Sequence, residues 1–418
     1  MERENKLNYK RTFYIGCAFF TIMLLWQGYN YTTPLFLDDM GVKDTLKGII
    51  MAADNLFAIL FIPLFGIISD KTKTKLGKRT PFIIVGTILA ALTFPIIGYF
   101  GMRGNLVGMI IVIALVLLFM NIYRAPAVAL MPDVTPKRHR SLANGIINLM
   151  GGIGGIFAYG TIIMFFKGES ITRIIPFIVV SVLMLVGLVI LVTKVKEKNI
   201  LVEIEEDEEV KGEMENLNPL SKKEKISLIL ILAAVFSWFF AVNAVETFWS
   251  VYTVDILKAP DTNIGATALL IFTVSAIGMY LPAGILGTKI GRRKTILLGI
   301  SLVFIPFAIA FFFREWNLIA MVALFIVAGI GWASINVNSY PMVVELASGK
   351  NAGKFTGFYY TASMLAQTLT PVFIGYLMDK TTRVILFPYA SLFLALAFVF
   401  IFLSSIGVDK KLGKTIEA

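Results

Sequence analysis

Residues 66–82 read GIISDKTKTKLGKRTPF and join two apolar stretches, 47–69 and 80–100. The middle of this segment carries five Lys or Arg residues, whereas each flank is long enough to cross a bilayer. Because a helix satisfies its own backbone hydrogen bonds, an apolar run of about 20 residues predicts a membrane-spanning helix. The segment therefore reads as a charged loop between two spans.

Ten further stretches of the same kind occur along the 418 residues, and the composition agrees with them. The chain is 57% hydrophobic, has a mean hydropathy of +0.80 and is only 16% charged, whereas soluble proteins are about 25% charged. We therefore predict an all-α membrane protein with twelve transmembrane helices in two six-helix bundles. The predicted spans are 12–33, 47–69, 80–100, 105–131, 141–166, 174–193, 226–252, 265–287, 295–313, 317–341, 355–378 and 384–407.

The net charge of +11 comes from the loops and predicts the orientation of the chain. With both termini inside, the cytoplasmic segments hold 28 Lys and Arg residues, the extracellular side holds nine if Lys47 at the edge of its span is included, and Arg124 alone lies well inside a span. This bias predicts cytoplasmic termini for a multi-pass protein of the plasma membrane. The excess charge is explained by topology, so we expect no nucleic acid as a partner. The single cysteine, Cys17, excludes an intrachain disulfide.

A long polar stretch, 194–225, divides the chain into an N-terminal bundle (1–193) and a C-terminal bundle (226–418). It includes the acidic run EIEEDEE at 203–209 and lacks aromatic residues, which favours a flexible cytoplasmic linker. A solvated tether is the simpler interpretation of this run. A binding site for a regulatory partner is the alternative.

The two halves resemble each other at nearly one spacing. Three matches occur at offsets of 218, 215 and 216 residues. Parallel repeats of six spans around a midplane site are the arrangement of major facilitator superfamily carriers. The matched sets are Gly66, Asp70 and Gly77 with Gly284, Thr288 and Gly291; Asn121, Arg124 and Pro126 with Asn336, Ser339 and Pro341; and Gln27 and Asn30 with Asn243 and Glu246.

The loop at 66–82 resembles the signature between spans 2 and 3 of that superfamily. Its longer form, through Pro81 and Phe82, resembles the sucrose-transporter-like and glycoside–pentoside–hexuronide branch. The segment PAVALMPDVTP at 126–136 is similar to the same branch. The resemblance covers the N-terminal half well and the C-terminal half only generally. It implies a sugar carrier that works by alternating access.

One departure from this branch concerns the coupling ion. Melibiose-type sodium symporters carry two Asp residues in span 2, one and five positions before the proline that matches Pro63. This chain has Ile62 and Ala58 there. A sodium site of that kind needs carboxylate oxygens, so the resemblance does not imply sodium coupling. We therefore expect protons as the coupling ion.

The charged loops predict a cytoplasmic gate. Gly66 and Gly284 would allow close helix approach, and Asp70 would bind Lys or Arg from a neighbouring span end. A purely topological role for the basic residues is the alternative. Thr288 stands where the first repeat has Asp70, so the second half lacks that acid. The gate candidates are Gly66, Asp70, Gly77, Arg79, Asp133, Arg140, Gly284, Gly291 and Arg292.

Three charged residues lie well inside predicted spans, where a charge costs roughly 2.5–3.5 kcal/mol. Asp54 and Glu246 are the candidates for proton coupling. A structural ion pair is the alternative for Asp54, and access to the outer interface is the alternative for Glu246. Arg124 could contact substrate or a carboxylate, or its side chain could extend towards the cytoplasm.

Amides and aromatic rings near the span centres suit a polyol, which needs many hydrogen bonds and a flat apolar surface. Gln27 and Asn30 share one helix face, as do Asn243 and Glu246, and the repeat predicts that both faces line one cavity. Trp26 is a further possible platform, whereas Trp249 is expected at the membrane interface or in lipid. The candidates for substrate binding are Gln27, Asn30, Asn55, Asn121, Tyr123, Arg124, Asn243, Trp332 and Asn336.

These features favour a secondary carrier: a proton-coupled symporter of a small sugar, such as a glucoside or disaccharide. The alternatives are a proton-linked exporter of another small organic solute and a non-transporting receptor on a carrier fold. An enzyme is not expected, because the spans show neither a metal-binding His/Asp cluster nor a Ser–His pair. We expect a monomer that lies in the lipid bilayer and requires no cofactor, metal or catalytic residue.

The orientation is testable by thiol labelling. Single cysteines at Lys43, Lys258 and Lys380 are expected to react with an impermeant reagent added to intact cells. Cysteines at Lys73 and Glu206 are expected to react only after permeabilisation. A Cys17→Ser background removes the native thiol. Labelling at Glu206 from outside would contradict the orientation.

Overall fold

The computed structural model describes residues 7–135, 139–168, 171–198, 200, 222–344 and 352–404. Within these ranges the chain forms twelve long α-helices, two short 3-10 turns at Ile171–Ile174 and Arg383–Ile385, and no strand. The helices are α1 (Tyr9–Asp39), α2 (Asp44–Lys71), α3 (Thr80–Met102), α4 (Leu106–Asp133), α5 (Arg140–Phe165), α6 (Ile175–Lys194), α7 (Lys222–Asp255), α8 (Gly265–Ile290), α9 (Arg292–Ala310), α10 (Leu318–Val344), α11 (Ala352–Lys380) and α12 (Leu386–Leu403).

Each predicted span corresponds to one of these helices. In the described part of the chain, eleven helices are long and apolar enough to cross a membrane. The remaining helix, α11, has 29 residues and is not among these eleven. Its Thr368 and Thr370 hydroxyls donate to the carbonyls of Met364 and Ala366 at 2.8 and 2.6 Å, which satisfies them within the helix. The prediction of an all-α fold with twelve long helices is confirmed.

The chain folds into two compact units. Unit 1 comprises Met1–Gly41, Ala53–Lys211 and Asp261–Ala266, and unit 2 comprises Val42–Ala52, Gly212–Pro260 and Thr267–Ala418. The first turns of α2 therefore belong with most of the second half of the sequence. The domain boundaries at 193 and 226 stay predictions, and the acidic run 203–209 lies outside the described residues.

The same packing pattern occurs in both units, as the internal repeat suggests. In unit 1, α1 packs on α5 and α6, and α3 packs on α4 and α6. In unit 2, α7 packs on α11 and α12, and α9 packs on α10 and α12. The helices at corresponding places in the two halves thus pack on corresponding neighbours.

A glycine lies at the crossing of one matched helix pair in each unit. In unit 1, a Cβ on Gly86 of α3 would lie 2.8 Å from the backbone nitrogen of Tyr123 on α4. In unit 2, a Cβ on Gly299 of α9 would lie 2.8 Å from the carbonyl oxygen of Gly331 on α10. Neither crossing has room for a side chain, so glycine permits the close helix approach at both places.

Trp249 belongs to the interior of unit 2. Its side chain is fully buried, and its ring lies 4.6 Å from Phe325, 6.3 Å from Tyr252 and 6.2 Å from Phe387. The expectation of an interfacial or lipid-facing tryptophan is therefore wrong. Aromatic side chains bury large areas and pack edge to face in such clusters, and the periodicity of α7 alone could not distinguish core from lipid.

A buried ion-pair network lies at the start of α2, within unit 2. Lys47 is fully buried, and its Nζ lies 2.7 Å from Asp44 Oδ1. Arg383 donates from Nε to Asp44 Oδ2 at 2.8 Å and from NH2 to Oδ1 at 3.0 Å. Its NH1 lies 3.5 Å from Asp255 Oδ2. One carboxylate thus pairs with two cations, and Asp255 adds a second negative charge beside Arg383, which compensates for their burial.

The same turn of α2 packs directly on α11. The Asp379 carboxylate accepts the N–H groups of Asp44 and Thr45 at 2.9 and 2.8 Å, which are donors that an α-helix leaves unpaired at its N-terminus. A Cβ on Gly48 would collide with the α11 backbone, and a Cβ on Gly375 would collide with the Asp44 carbonyl. Close backbone approach and charge pairing coincide at this place.

We expect Asp44→Asn to destabilise the protein by about 3–5 kcal/mol, because it removes the carboxylate that Lys47 and Arg383 share. The midpoint of thermal unfolding in detergent would fall accordingly. Lys43→Gln is the matched control, since Lys43 is exposed one residue away. Equal midpoints for Asp44→Asn and the control would contradict the role of the network.

Candidate functional site

Asp54 is buried in the membrane-spanning part of unit 1. It lies on α2 beside Asn55, and each side chain is about 7% exposed. Its charge interacts with that of Arg124 on α4. The Asp54 Oδ1 atom has no hydrogen-bond partner among the described residues. A buried carboxylate with one unsatisfied oxygen is costly, which makes this atom a good candidate for binding a proton or a substrate hydroxyl.

Arg124 points towards α1. Its guanidinium carbon lies 4.1 Å from the centre of the Trp26 ring, a distance typical of a cation–π contact. Together with the electrostatic interaction with Asp54, this contact favours the carboxylate role over extension towards the cytoplasm. It also covers one face of the Trp26 ring, so a sugar ring could stack only on the other face.

Gln27 has a partner that the sequence did not indicate. The Tyr159 hydroxyl on α5 donates to Gln27 Oε1 at 2.7 Å. This bond sets the orientation of the Gln27 amide group. Asn30 is half-buried one helical turn later on α1. The Tyr159 ring also packs edge to face on Tyr31 at 6.5 Å. Tyr159 therefore joins the candidates, since it orients one of the predicted amides.

Asn121 and Tyr123 are almost fully buried on α4. Asn121 donates from Nδ2 to the Leu117 carbonyl at 2.8 Å, and its Oδ1 has no partner in the described part of the chain. Tyr123 lies where α4 crosses Gly86 of α3. Tyr123 therefore contributes to helix packing, whereas the Asn121 oxygen is the atom suited to accept a bond from a ligand.

The candidates of unit 2 lie on α7 and α10. Asn243 and Glu246 are half-buried, three residues apart. Trp332 packs edge to face on Phe239 at 5.5 Å, and Asn336 donates from Nδ2 to the Trp332 carbonyl at 3.0 Å. The Asn243 Oδ1 atom has no hydrogen-bond partner among the described residues. These positions remain candidates inside their own unit.

The charged loop residues form a compact group in unit 1, which we call the loop cluster (Asp70, Lys78, Arg79 and Asp133). Arg79 pairs with Asp70 and donates from Nε to Asp133 Oδ2 at 2.8 Å. Lys78 Nζ lies 3.1 Å from the same Asp133 oxygen. Arg79 also donates to Ser69 Oγ. The ends of α2, α3 and α4 are therefore held together by one arginine.

Two glycine expectations need correction, whereas the gate role of Arg140 stays a prediction. A Cβ on Gly66 would meet nothing within 4 Å in the described part, and one on Gly284 would make only an ordinary 3.5 Å contact with Val337. Neither glycine is required for close packing. The Gly66 carbonyl instead accepts from Arg79 at 3.4 Å. Arg140 donates to main-chain carbonyls, at 3.2 Å to Thr135 and at 2.9 Å to Pro132.

In unit 2 the corresponding loop has a different chemistry. Gly291 has a φ of 92°, a conformation that glycine adopts without strain, and it precedes α9. Arg292 is half-buried. Its neighbour Arg293 donates to the carbonyls of Ile401 and Phe402 at 3.1 and 2.7 Å, which are acceptors at the end of α12. The Thr288 hydroxyl, at the place of Asp70 in the first repeat, donates to the Ile285 carbonyl of its own helix.

Glu197, a buried carboxylate beside the loop cluster, was not identified by the sequence analysis. Glu197 follows α6, is fully buried, and accepts the N–H groups of Lys78, Arg79 and Thr80 at 2.8 to 3.1 Å. The Thr80 hydroxyl donates to it at 2.7 Å. Residues 195–198 were predicted as the start of a solvated linker, and for Glu197 that expectation is wrong. Its sequence neighbours, Lys196 and Lys198, did not indicate that Glu197 would be buried.

The fold is similar to that of several solved transporters. The nucleoside transporter NupG (D323A mutant) superposes with a TM-score of 0.68 at 14% identity, covering 94% of this chain and 98% of that one. A bacterial homologue of the iron transporter ferroportin gives 0.69 at 13% identity, with 96% and 100% covered. At these identities the likeness shows the fold alone.

Curated relatives are similar to parts of the sequence. The Arabidopsis thaliana sucrose transport protein SUC4 is 28% identical over 144 residues, 31% of this chain and 28% of its own length. The general alpha-glucoside permease of Schizosaccharomyces pombe is 23% identical over 289 residues, 61% and 52% respectively. The human proton-associated sugar transporter A is 27% identical over 169 residues, 36% and 22%. The matched regions thus span between about a quarter and a half of these relatives.

Residues 14–370 match the family described as MFS/sugar transport protein, which covers most of the chain. The family consists of transporters rather than enzymes, and its helical fold agrees with the twelve helices described above. The chain belongs to the MFS/sugar transport protein family.

Proposed function

We propose that this chain is a proton-coupled symporter that imports a small sugar, a glucoside or disaccharide, by alternating access. The observation that carries the proposal is Asp54, a buried acid that interacts with Arg124 inside the membrane-spanning helices. Such a group can exchange its ionic partner for a proton during a transport cycle. The names of the relatives, which include sucrose, alpha-glucoside and proton-associated sugar transport, support the substrate class and the ion.

Polar residues in the same unit suit a sugar. Gln27, Asn30 and Asn121 offer amide groups, and the face of Trp26 opposite Arg124 offers an apolar surface. In unit 2, Asn243, Trp332 and Asn336 offer the same two kinds of contact. Sugars are recognised by several hydrogen bonds and stacking on an aromatic ring. Glu246 is the second acid that we propose for proton coupling.

The loop cluster is proposed as a cytoplasmic gate. Its ion pairs join three helix ends through Arg79, and such pairs can break and re-form as a carrier changes state. The proposal includes a monomeric carrier of the plasma membrane with both termini in the cytoplasm. The distribution of Lys and Arg supports this orientation.

The gate is tested by Asp133→Asn and Asp70→Asn. Both variants are expected to slow uptake of radiolabelled sucrose or maltose into proteoliposomes while leaving the binding affinity for the sugar nearly unchanged. Asp133→Asn is expected to be the more severe, because Asp133 binds Arg79 and Lys78 and its side chain is 21% exposed, against 57% for Asp70. Lys73→Gln, an exposed change in the same loop, is the control. Wild-type rates in both variants would exclude the gate.

Proton coupling is tested by Asp54→Asn and Glu246→Gln. The neutral variant of the coupling residue is expected to lose sugar accumulation driven by a proton gradient and to keep sugar exchange. Exchange requires only that the loaded carrier change sides, whereas net uptake requires the empty carrier to release its proton. A potential of 100 mV adds about 2.3 kcal/mol per charge moved, so the loss would be clear in accumulation ratios.

Glu315→Gln, which removes an exposed acid, is the matched control for both variants. Retained accumulation in both Asp54→Asn and Glu246→Gln would show that neither acid couples the proton. A sodium requirement in the unmutated protein would contradict proton coupling itself.

A further inference from the structure

Glu197 makes an unusual number of hydrogen bonds for a residue between a membrane helix and a polar linker. One oxygen, Oε1, accepts the N–H groups of Lys78 and Arg79 at 2.8 and 3.0 Å. The other, Oε2, accepts from Arg79 and Thr80 N–H at 3.1 and 2.9 Å and from the Thr80 hydroxyl at 2.7 Å. These donors lie at the N-terminus of α3, where N–H groups are unpaired and the helix dipole favours an anion.

The local sequence is adapted to this carboxylate. Gly77 has a φ of 113°, and a Cβ at this position would collide with the Glu197 carboxyl group. Glycine therefore provides both the left-handed turn and the space for Glu197. Arg79, the residue that precedes α3, has no side-chain cap of its own. The cap comes from a residue 118 positions later in the chain.

The capped residue is also the centre of the loop cluster. The Arg79 main chain is bound by Glu197, while its side chain reaches Asp70, Ser69 and Asp133. Fixing the main chain of Arg79 limits the directions in which its guanidinium can extend. The guanidinium group is planar and rigid, so it can reach its acceptors on α2 and α4 at the same time only in a narrow range of orientations.

We propose that Glu197 is a positioning residue for the gate: by capping α3 it holds Arg79 where the arginine can bind Asp70 and Asp133 together. The inference rests on the proposed role of the loop cluster in transport. It gives a function to the segment that follows α6, because Glu197 connects the beginning of the linker to Arg79 by hydrogen bonds.

The position of Arg79 is tested by a thiol probe that does not require transport. Ser69 is fully buried, and its hydroxyl accepts from Arg79. In a Cys17→Ser background, Ser69→Cys is expected to react slowly with N-ethylmaleimide because Arg79 covers it. Adding Glu197→Gln removes one carboxylate oxygen and is expected to raise the labelling rate about tenfold or more, the change for one hydrogen bond to a charged group.

Three companion variants sharpen this measurement. Glu197→Asp keeps the charge on a shorter side chain and is expected to give an intermediate labelling rate. Gly77→Ala displaces the carboxylate from the other side and is expected to resemble Glu197→Gln. Lys198→Gln, an exposed change in the same segment, is the control and is expected to leave labelling unchanged. Monodisperse protein fractions are compared, so that misfolded material does not contribute.

The consequence for transport is tested with radiolabelled sucrose and maltose. Glu197→Gln is expected to lower the maximal uptake rate and to leave KM nearly unchanged. In an Arg79→Gln background the same change is expected to add little further slowing, because Glu197 acts through Arg79. Additive slowing in the double variant would contradict the proposal.

The outcomes separate this inference from the proposed function. Unchanged labelling in Glu197→Gln would overturn the positioning role whatever the transport result. Raised labelling with a wild-type uptake rate would also overturn it, since the cap would then be structural only. Raised labelling in a protein that transports neither sugar would support the placement of Arg79 by Glu197 and would contradict the proposed substrate instead.

Discussion

The hydrocarbon core of a bilayer cannot donate or accept hydrogen bonds, and this constraint governs the membrane-spanning helices. It requires helices wherever the chain crosses the membrane, and it requires that polar side chains find partners within the protein. The hydroxyls of Thr368 and Thr370 on α11 bind their own helix, and Lys47 shares Asp44 with Arg383. Charges that remain within the spans are therefore concentrated in a few compensated groups. Asp54 stands out because one of its oxygens lacks a partner among the described residues.

The pattern of apolar stretches was sufficient to predict the fold. Twelve spans in two matched sets follow from hydrophobic length and spacing, since each helix is defined by its own sequence. The pairing of Asp70 with Arg79 was also predictable, because these residues flank one short loop between consecutive helices. A contact between residues this close in sequence depends little on how distant parts of the chain pack.

Contacts between residues far apart in sequence could not be predicted in the same way. Glu197 lies among lysines and resembles a solvated residue, yet it is buried at the start of α3. Tyr159 looked like one more aromatic residue in a span, but it binds Gln27. Trp249 is of a residue type that is common at membrane interfaces, but its side chain lies in the core of unit 2. In each case burial is determined by a partner helix, and one sequence contains no direct information about which helix packs there.

The corrections to the glycine assignments have a similar origin. Gly66 was selected because it belongs to a repeated motif, but the structure leaves space beside it and uses its carbonyl. Gly86 and Gly299 belong to no motif identified in the sequence. Gly86 nevertheless determines how closely α3 approaches α4, and Gly299 determines how closely α9 approaches α10. A glycine's role depends on the atoms opposite it. Motif position and packing role are therefore independent properties in this chain.

The placement of Glu197 also bears on how this protein can be divided for study. Carriers are often examined as separately expressed halves, and a cut is usually placed at the end of the last apolar stretch. Here such a cut, directly after Lys194, would assign Glu197 to the wrong fragment and leave the amides at the start of α3 without their acceptor. A break placed beyond Ile200 keeps this carboxylate with the helices it stabilises. The functional end of the first half therefore lies later in the chain than hydropathy indicates.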